Sequence, residues 1–266
     1  MACTRRRARH DAPVKTLLHD LVKEMDTLLR IAEISDYPTA VNGLQIENSG
    51  KVTRIGAAVD GCEWTMTEAA RRGVDLLIVH HGLLWGGLAP VTGIFRRKVK
   101  LAFEADLAVY SAHLPLDAHP TLGNNVLLAK ALGLKKYEPA FEEKGSKIGL
   151  VATTSLERNT LMKKLATAVG GPVKLIAGGP EKCRRIGIVT GGAGSLVTAA
   201  ATREKVDTFI TGEGSNATFT AAEELGVNLL YGGHYATETF GVKAFAAHMA
   251  GKFRLPWEFI DHPTGM

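Results

Sequence analysis

Short buried strands alternate with helices along almost the whole of this 266-residue chain, and that alternation most constrains its fold. The run from Leu76 to Val79 is entirely apolar, and it follows a helical segment closed by Gly73. Apolar strands separated by helices are typical of an α/β fold with mostly parallel strands. The predicted strands cover residues 54–59, 75–79, 107–110, 148–152, 185–190, 208–210 and 228–231. The predicted helices cover residues 14–33, 64–72, 98–104, 125–132 and 235–250.

The chain also carries a degenerate internal repeat, in which residues 54–117 correspond to residues 185–238. Both copies open with Arg-Ile-Gly, and both reach the pattern Tyr-small-small-His-x-x-x-acid, which ends at Asp117 in one copy and at Glu238 in the other. The alternative is a coincidence between two ordinary α/β stretches. We interpret the pattern as two similar, intertwined α/β lobes with a site between them. The predicted basic tail, first lobe, charged linker and second lobe span residues 1–12, 13–137, 138–147 and 148–266.

Side chains that can bind metal follow the predicted strands in both copies. Ligands bind beyond the carboxyl ends of the strands in parallel α/β sheets. Carboxylates gathered in such a cleft repel each other and lose solvation, and a divalent cation removes that penalty. The sequence therefore predicts a metal site built from residues at four strand ends: His80, His81, His113, Asp117, Glu213, His234 and Glu238.

The spacing of these residues favours two ions over one. Adjacent side chains on a strand point to opposite faces, so His80 and His81 suit two ions. His234 and Glu238 are four residues apart and share one face at the start of a helix. Mixed imidazole and carboxylate ligands suit zinc, iron or manganese. We predict two divalent ions held by His80, His81, Asp117, His234 and Glu238.

His113 and Glu213 are open to two interpretations. They are either further ligands or outer groups that orient the ligands, and we favour the outer role. In that place they could also move protons, so they are the candidate catalytic residues. The loop from Thr190 to Ser195 is similarly open, because a glycine-rich loop before a helix can bind phosphate or simply form a tight turn.

Composition limits the classes of partner. Four arginines before residue 11 supply most of the net charge of +5, and the rest of the chain shows no basic stripe with interleaved aromatic residues. This weighs against nucleic acid as a partner.

No apolar run has the ~20 residues of a membrane helix, and no secretory signal is evident. Three cysteines far apart favour a reducing compartment, so we expect a cytoplasmic protein.

The sequence resembles the GTP cyclohydrolase I type 2-like family, the Nif3-like hexameric proteins with a dinuclear metal centre. Five segments carry the resemblance and span nearly the whole chain after the basic tail: Asn42–Gln45, Leu77–Gly82, His113–Asp117, Ile210–Glu213 and Gly233–Glu238. The resemblance implies two α/β lobes with the metal centre between them, and the same five ligands. It also implies a homo-hexamer assembled as a trimer of dimers.

Two functions follow as hypotheses. The first is a metal-dependent hydrolase that acts on a small anionic, nucleotide-like substrate, and the resemblance suggests opening of the guanine ring of GTP. The second is a non-enzymatic metal-binding ring or scaffold protein. A nicotinamide-dependent oxidoreductase is excluded by the missing third glycine of the dinucleotide fingerprint.

Overall fold

The computed structural model describes residues 16–87 and 89–266, and it contains two large sheets. The first sheet has the strand order β13-β4-β5-β6-β2. Its centre is the parallel set β4 (Ile55–Asp60), β5 (Leu76–His81) and β6 (Ala108–Ser111). The edge strand β2 (Gly43–Ile46) runs antiparallel to β6, and β13 (Trp257–Phe259) runs parallel to β4.

The second sheet has the order β7-β8-β10-β11-β12-β9 and repeats the central arrangement of the first. Its parallel set is β10 (Lys182–Ile188), β11 (Thr208–Thr211) and β12 (Asn228–Tyr231). The flanking strands are antiparallel: β7 (Tyr137–Glu143), β8 (Ser146–Glu157) and β9 (Lys174–Ala177). A separate small pair joins β1 (Thr16–Leu17) to β3 (Lys51–Val52). The predicted α/β fold class is therefore confirmed.

Helices join and cover these strands. They are α1 (Leu18–Leu29), α2 (Glu63–Arg71), α3 (Gly93–Glu104), α4 (Leu114–Asp117), α5 (Asn124–Ala131), α6 (Arg158–Val169), α7 (Val197–Thr202), α8 (Asn216–Glu224) and α9 (His234–Phe253). A 3-10 turn, Ala193–Leu196, leads into α7. Across the described ranges, no helix has both the length and the apolar character needed to cross a bilayer.

The last helix returns to the first sheet. Its buried residues Val242, Phe245 and Met249 pack in one cluster with Ile55 and Leu76 of β4 and β5. After α9 the chain forms β13 at the edge of the same sheet. The C-terminal part of the predicted second lobe is therefore built into the first, and this crossing carries the start of α9 to the ends of the first sheet's strands.

The segment predicted as a linker is instead a β-hairpin. Residues 138–147 form most of β7, the turn, and the start of β8, which pair in antiparallel register. The charged residues of this segment are typical of a solvent-exposed linker. In the structure they lie on the exposed face of an edge hairpin, whereas Ala140 and Phe141 are buried in the core of the second sheet. The lobe boundaries themselves stay a prediction. The basic tail, residues 1–12, lies outside the described residues, and α1 is observed only from Leu18.

Candidate metal centre

The two adjacent histidines at the end of β5 face the same carboxylate. His80 Nε2 lies 3.5 Å from Glu238 Oε1, and His81 Nε2 lies 3.4 Å from Glu238 Oε2. Their ring centroids are 4.9 Å apart with the planes tilted by 49°. His81 is still paired within β5, so the alternation expected of neighbouring strand residues does not direct these two imidazoles to separate sites. Each histidine instead meets a different oxygen of Glu238.

Glu238 comes from α9, together with His234. His234 is the first residue of the helix, and the four-residue spacing brings His234 Nε2 to 3.2 Å from Glu238 Oε2. Gly233, with φ of 89°, makes the turn from β12 into the helix. The predicted shared face of His234 and Glu238 is thus observed, and it is turned towards β5.

Asp117 approaches from a third element, the short helix α4 that follows β6. Its Oδ2 lies 3.5 Å from His80 Nε2, and its Oδ1 accepts a hydrogen bond from Asn124 Nδ2 at 2.8 Å. Asn124 Oδ1 in turn accepts from the backbone N–H of Gly241 in α9 at 2.6 Å. Asn124 therefore fixes Asp117 and links it to the helix that carries Glu238.

Four imidazoles in the cluster share one hydrogen-bonding pattern. In each, Nδ1 contacts an acceptor outside the cluster, at 2.7 to 3.0 Å: Ala112 O for His80, Asp60 Oδ1 for His81, Asp36 for His113 and Glu213 Oε1 for His234. An acceptor at Nδ1 fixes the proton there and leaves Nε2 with a lone pair for a metal. The pattern is the one expected of metal-binding histidines.

Two buried polar atoms at the centre have no hydrogen-bond partner. They are His80 Nε2 and Glu238 Oε2. Because leaving a buried polar atom unpaired costs roughly 1–3 kcal/mol, such atoms call for an explanation. A cation beside each atom would satisfy both, so the donor set fits metal binding.

Within residues 16–87 and 89–266, two groups of three side chains could each hold a metal ion. One is His80, His81 and His113, and the other is His81, His234 and Glu238. His113 therefore lies close enough to its neighbours to be a ligand, although Asp36 also orients it as an outer group would be. The number and identity of the ions, and the choice between these roles for His113, stay predictions.

Without a metal, the charges of neighbouring side chains shift the pKa values of His80, His234 and Glu238. Burial lowers the pKa of His80, but the charges of Asp117 and Glu238 outweigh burial and raise it well above 6.5. Burial also opposes the rise for His234, whose contacts with Glu238 and Glu213 raise its pKa to about 9. Burial would raise the pKa of Glu238, but the charge of His80 and the contact with His234 hold it below its usual range. The carboxylates thus favour positive charge here, which a divalent ion supplies by displacing protons.

The glycine-rich loop after β10 packs behind the cluster. Gly191 has φ of 72°, and a Cβ atom there would overlap Glu238 Oε1. The backbone N–H groups of Thr190, Gly191 and Gly194 donate to Asn125 Oδ1, Thr237 Oγ1 and Glu213 O. Since these three donors are engaged within the protein, the geometry supports the tight-turn interpretation more than a phosphate-binding loop.

Sequence reasoning missed three residues that orient the proposed ligands: Asp60, Asp36 and Asn124. Asp60 is the last residue of β4 and is in register with His81. A polar residue at the end of an apolar strand could have indicated that Asp60 belongs to the site. Asp36 had no such signal, because it lies in the loop after α1 and reaches His113 across 77 positions. Asn124 also had no signal, because it lies just before the predicted helix at residues 125–132 and begins the observed α5.

We expect Asp60→Asn to weaken metal binding by roughly 10- to 100-fold, the usual cost of losing an outer partner of a histidine ligand. The amide removes the negative charge that holds the proton on His81 Nδ1. Competition with a chromogenic chelator measures the affinity. Asp20→Asn, at an exposed position in the first turn of α1, is the control and should bind as the wild type does. Equal affinities in the two variants would remove Asp60 from the site.

Two cavities open onto the cluster. The first, of about 470 Å³, and the second, of about 350 Å³, share His81, Trp85 and His234 in their walls. Glu213 lines the first cavity, whereas His113 and Asp117 line the second. Both volumes are in the range of small-molecule sites. The candidate centre is therefore accessible from two sides.

Comparison with known proteins gives one consistent family. Residues 16–264 match the family model described as Duf34/NIF3 (NGG1p interacting factor 3). A protein of Deinococcus radiodurans named "GTP cyclohydrolase 1 type 2 homolog" is 41% identical over 252 residues, which cover 93% of this chain and 94% of that protein. A protein of Pyrococcus abyssi with the same name is 40% identical over 93% of this chain and 98% of its own length. The crystal structure of TTHA1606 from Thermus thermophilus has a TM-score of 0.87 and 38% identity, and the match covers 94% of this chain and all of that one.

Proposed function

Since the chain belongs to the Duf34/NIF3 family, we propose that it is a dinuclear metal-dependent hydrolase acting on a small anionic, nucleotide-like substrate. The single observation that carries the proposal is the pair of unpartnered buried atoms, His80 Nε2 and Glu238 Oε2, among histidines whose Nδ1 atoms are already engaged. The charged atoms that approach these two, at 3.2 to 3.5 Å, belong to the other proposed ligands, and none of them makes a hydrogen bond of good geometry.

The proposed ligands divide around Glu238. Its Oε1 faces His80, and its Oε2 faces His81 and His234, so one carboxylate can serve two ions. Asp117 completes the set beside His80. Two ions of the zinc, iron or manganese type would lower the pKa of water and polarise the bond to be hydrolysed. Four positive charges against the two of Asp117 and Glu238 leave an excess that favours an anionic substrate.

His113 and Glu213 are the proposed proton carriers. Glu213 lines the first cavity and contacts His234 through Oε1, which leaves Oε2 to accept a proton from a bound molecule. His113 lines the second cavity and is held by Asp36 through Nδ1, so its Nε2 is the atom that can exchange a proton. The two residues thus serve opposite sides of the cluster.

The name of the relatives suggests a nucleotide as the substrate class, with GTP as the first compound to test. The experiment is a screen of nucleotides and phosphoesters with protein reconstituted with zinc, iron or manganese. We expect turnover that a chelator abolishes and that the metal restores. Turnover that persists in chelator would contradict a metal-dependent reaction.

A second candidate function is a non-enzymatic ring or scaffold, and exposed apolar residues favour it. On α3, Ile94 is 60% exposed and Phe103 is 66% exposed, and since they lie on opposite sides of the helix each would contact a partner through a different face. The proposed assembly is a homo-hexamer, a trimer of dimers. Light scattering measures its mass, and full metal loading without turnover on any substrate class would favour the scaffold over the hydrolase.

We also propose a cytoplasmic location. Cys62 and Cys183 are both free thiols, which suits a reducing compartment.

A further inference from the structure

Lys98 of α3 reaches the first cavity, where it lies in the same wall as His81 and His234. Its side chain is partly buried, and its Nζ donates a hydrogen bond to the backbone carbonyl of Gly61 at 2.9 Å. Gly61 is next to the end of β4, and its own N–H donates to His81 O at 2.7 Å. The ammonium group is therefore held at a fixed place beside the proposed metal centre.

Two of the other three cations on α3 are held in ion pairs, whereas Arg96, like Lys98, forms none among the described residues. Arg97 pairs with Glu63 at 2.8 Å, and Lys100 pairs with Glu104 at 2.7 Å. In the part of the chain that the structure describes, no carboxylate forms an ion pair with Lys98. An ammonium group has three protons to donate, and the carbonyl of Gly61 takes one. The charge of Lys98 is thus left for a group that enters the cavity.

The acidic residues of this cavity do not compete for Lys98. Asp60 contacts His81 Nδ1 at 2.8 Å, and Glu213 contacts His234 Nδ1 at 2.7 Å. Each carboxylate is therefore oriented towards an imidazole. Lys98 is the single lysine or arginine among the described residues that line the first cavity.

The same cavity offers an aromatic wall. The side chain of Trp85 is 40% exposed, and its ring lies 5.2 Å from that of His81 with the planes at 65°. The exposed part of an indole beside a metal site is a surface for a planar ring. With a volume of about 470 Å³, the cavity can hold a ring and an acidic group together.

We propose that Lys98 binds the phosphate of a substrate whose planar ring packs on Trp85, so that the two residues select nucleoside monophosphates or related ring-bearing phosphate esters. The inference rests on the proposed function and deepens it by naming the residues that recognise the substrate. It adds no chemical step, because Lys98 acts on the anionic end of the ligand and not on the bond that is hydrolysed.

The test is equilibrium binding by calorimetry to metal-loaded protein, with AMP and GMP as probes and adenosine and guanosine as their uncharged partners. A charge-assisted hydrogen bond should make each nucleotide bind roughly 10-fold more tightly than its nucleoside. Lys98→Met should lower that ratio several-fold while nucleoside affinity stays unchanged, and Lys98→Arg should restore most of it. Lys100→Met, on the same helix, is the matched control and should keep the full ratio.

A second variant tests the aromatic wall. Trp85→Ala should weaken nucleosides and nucleotides by the same factor, roughly 5- to 100-fold for one stacked base, and leave their ratio intact. The inference is overturned if no nucleotide binds the wild type, if Lys98→Met keeps the ratio, or if it weakens nucleosides as much as nucleotides. Metal analysis of the same samples separates the two proposals. Protein that takes up no metal on reconstitution but still discriminates phosphate through Lys98 supports this inference and contradicts the dinuclear hydrolase, whereas metal-loaded protein without that discrimination overturns this inference alone.

Discussion

Glu238→Ala is expected to retain its fold and to lose almost all bound metal. The carboxylate is the centre of the cluster, since its two oxygens lie 3.2 to 3.5 Å from the Nε2 atoms of His80, His81 and His234. Without it the three imidazoles lose the anion that offsets the charge of an ion. The affinity for metal should fall by more than the roughly 100-fold that the loss of an outer partner can cost.

The measurement is the metal content of protein reconstituted with zinc, iron or manganese and then desalted, with circular dichroism to confirm the fold. The melting temperature gives a second readout, because a ligand that binds only the folded state raises it and that rise should disappear in the variant. Glu224→Ala, at an exposed position of α8, is the control and should keep its metal. If Glu238→Ala binds as much metal as the control, the proposed centre is wrong.

Gly191→Ala should be nearly as damaging, although glycine has no side chain to act as a ligand. A Cβ atom at this position would overlap Glu238 Oε1 and lie 3.3 Å from His234 Nε2. Either Glu238 or the loop after β10 must move, and both changes break the arrangement of ligands. We therefore expect loss of most bound metal, with a fall in stability from the positive φ of 72°.

Gly73 provides the matched control for this substitution. Its φ is 69°, but a Cβ atom there would meet nothing within 4 Å. Left-handed backbone strain should cost both alanine variants roughly 1–2 kcal/mol, measured by urea unfolding of metal-free protein, and the overlap with Glu238 should add to the loss in Gly191→Ala alone. Only Gly191→Ala should lose metal. Equal metal content in the two variants would show that the close approach to Glu238 does not matter.

Residues next to one another in sequence made part of the candidate site predictable. The apolar run of β5 predicted a buried strand, and the two histidines at its end predicted a ligand position. The four-residue spacing of His234 and Glu238 placed both on one helical face. The placement of these side chains could be predicted because side-chain direction within a strand or helix depends on neighbours only a few residues away.

Of the groups that orient the proposed ligands, the sequence pattern singled out Glu213 beside His234 but gave no sign of Asp36 or Asn124. Asp36 orients His113 from a loop with no regular pattern, and Asn124 ties Asp117 to α9 from a helix that looked ordinary. The hairpin at residues 138–147 was mistaken for a linker because its charged face is exposed. In each case the deciding contact joins parts of the chain that local periodicity cannot relate.

By itself, the sequence determined the α/β fold class, the strand ends that carry polar residues, and the membership of the family. Only the tertiary structure brought Glu238 to within 3.5 Å of His80, which precedes it by 158 positions in the chain. The return of α9 to the first sheet made that contact, because burying Val242, Phe245 and Met249 against β4 and β5 fixes where the helix begins. Hydrophobic packing far from the cluster therefore decided which polar atoms meet inside it.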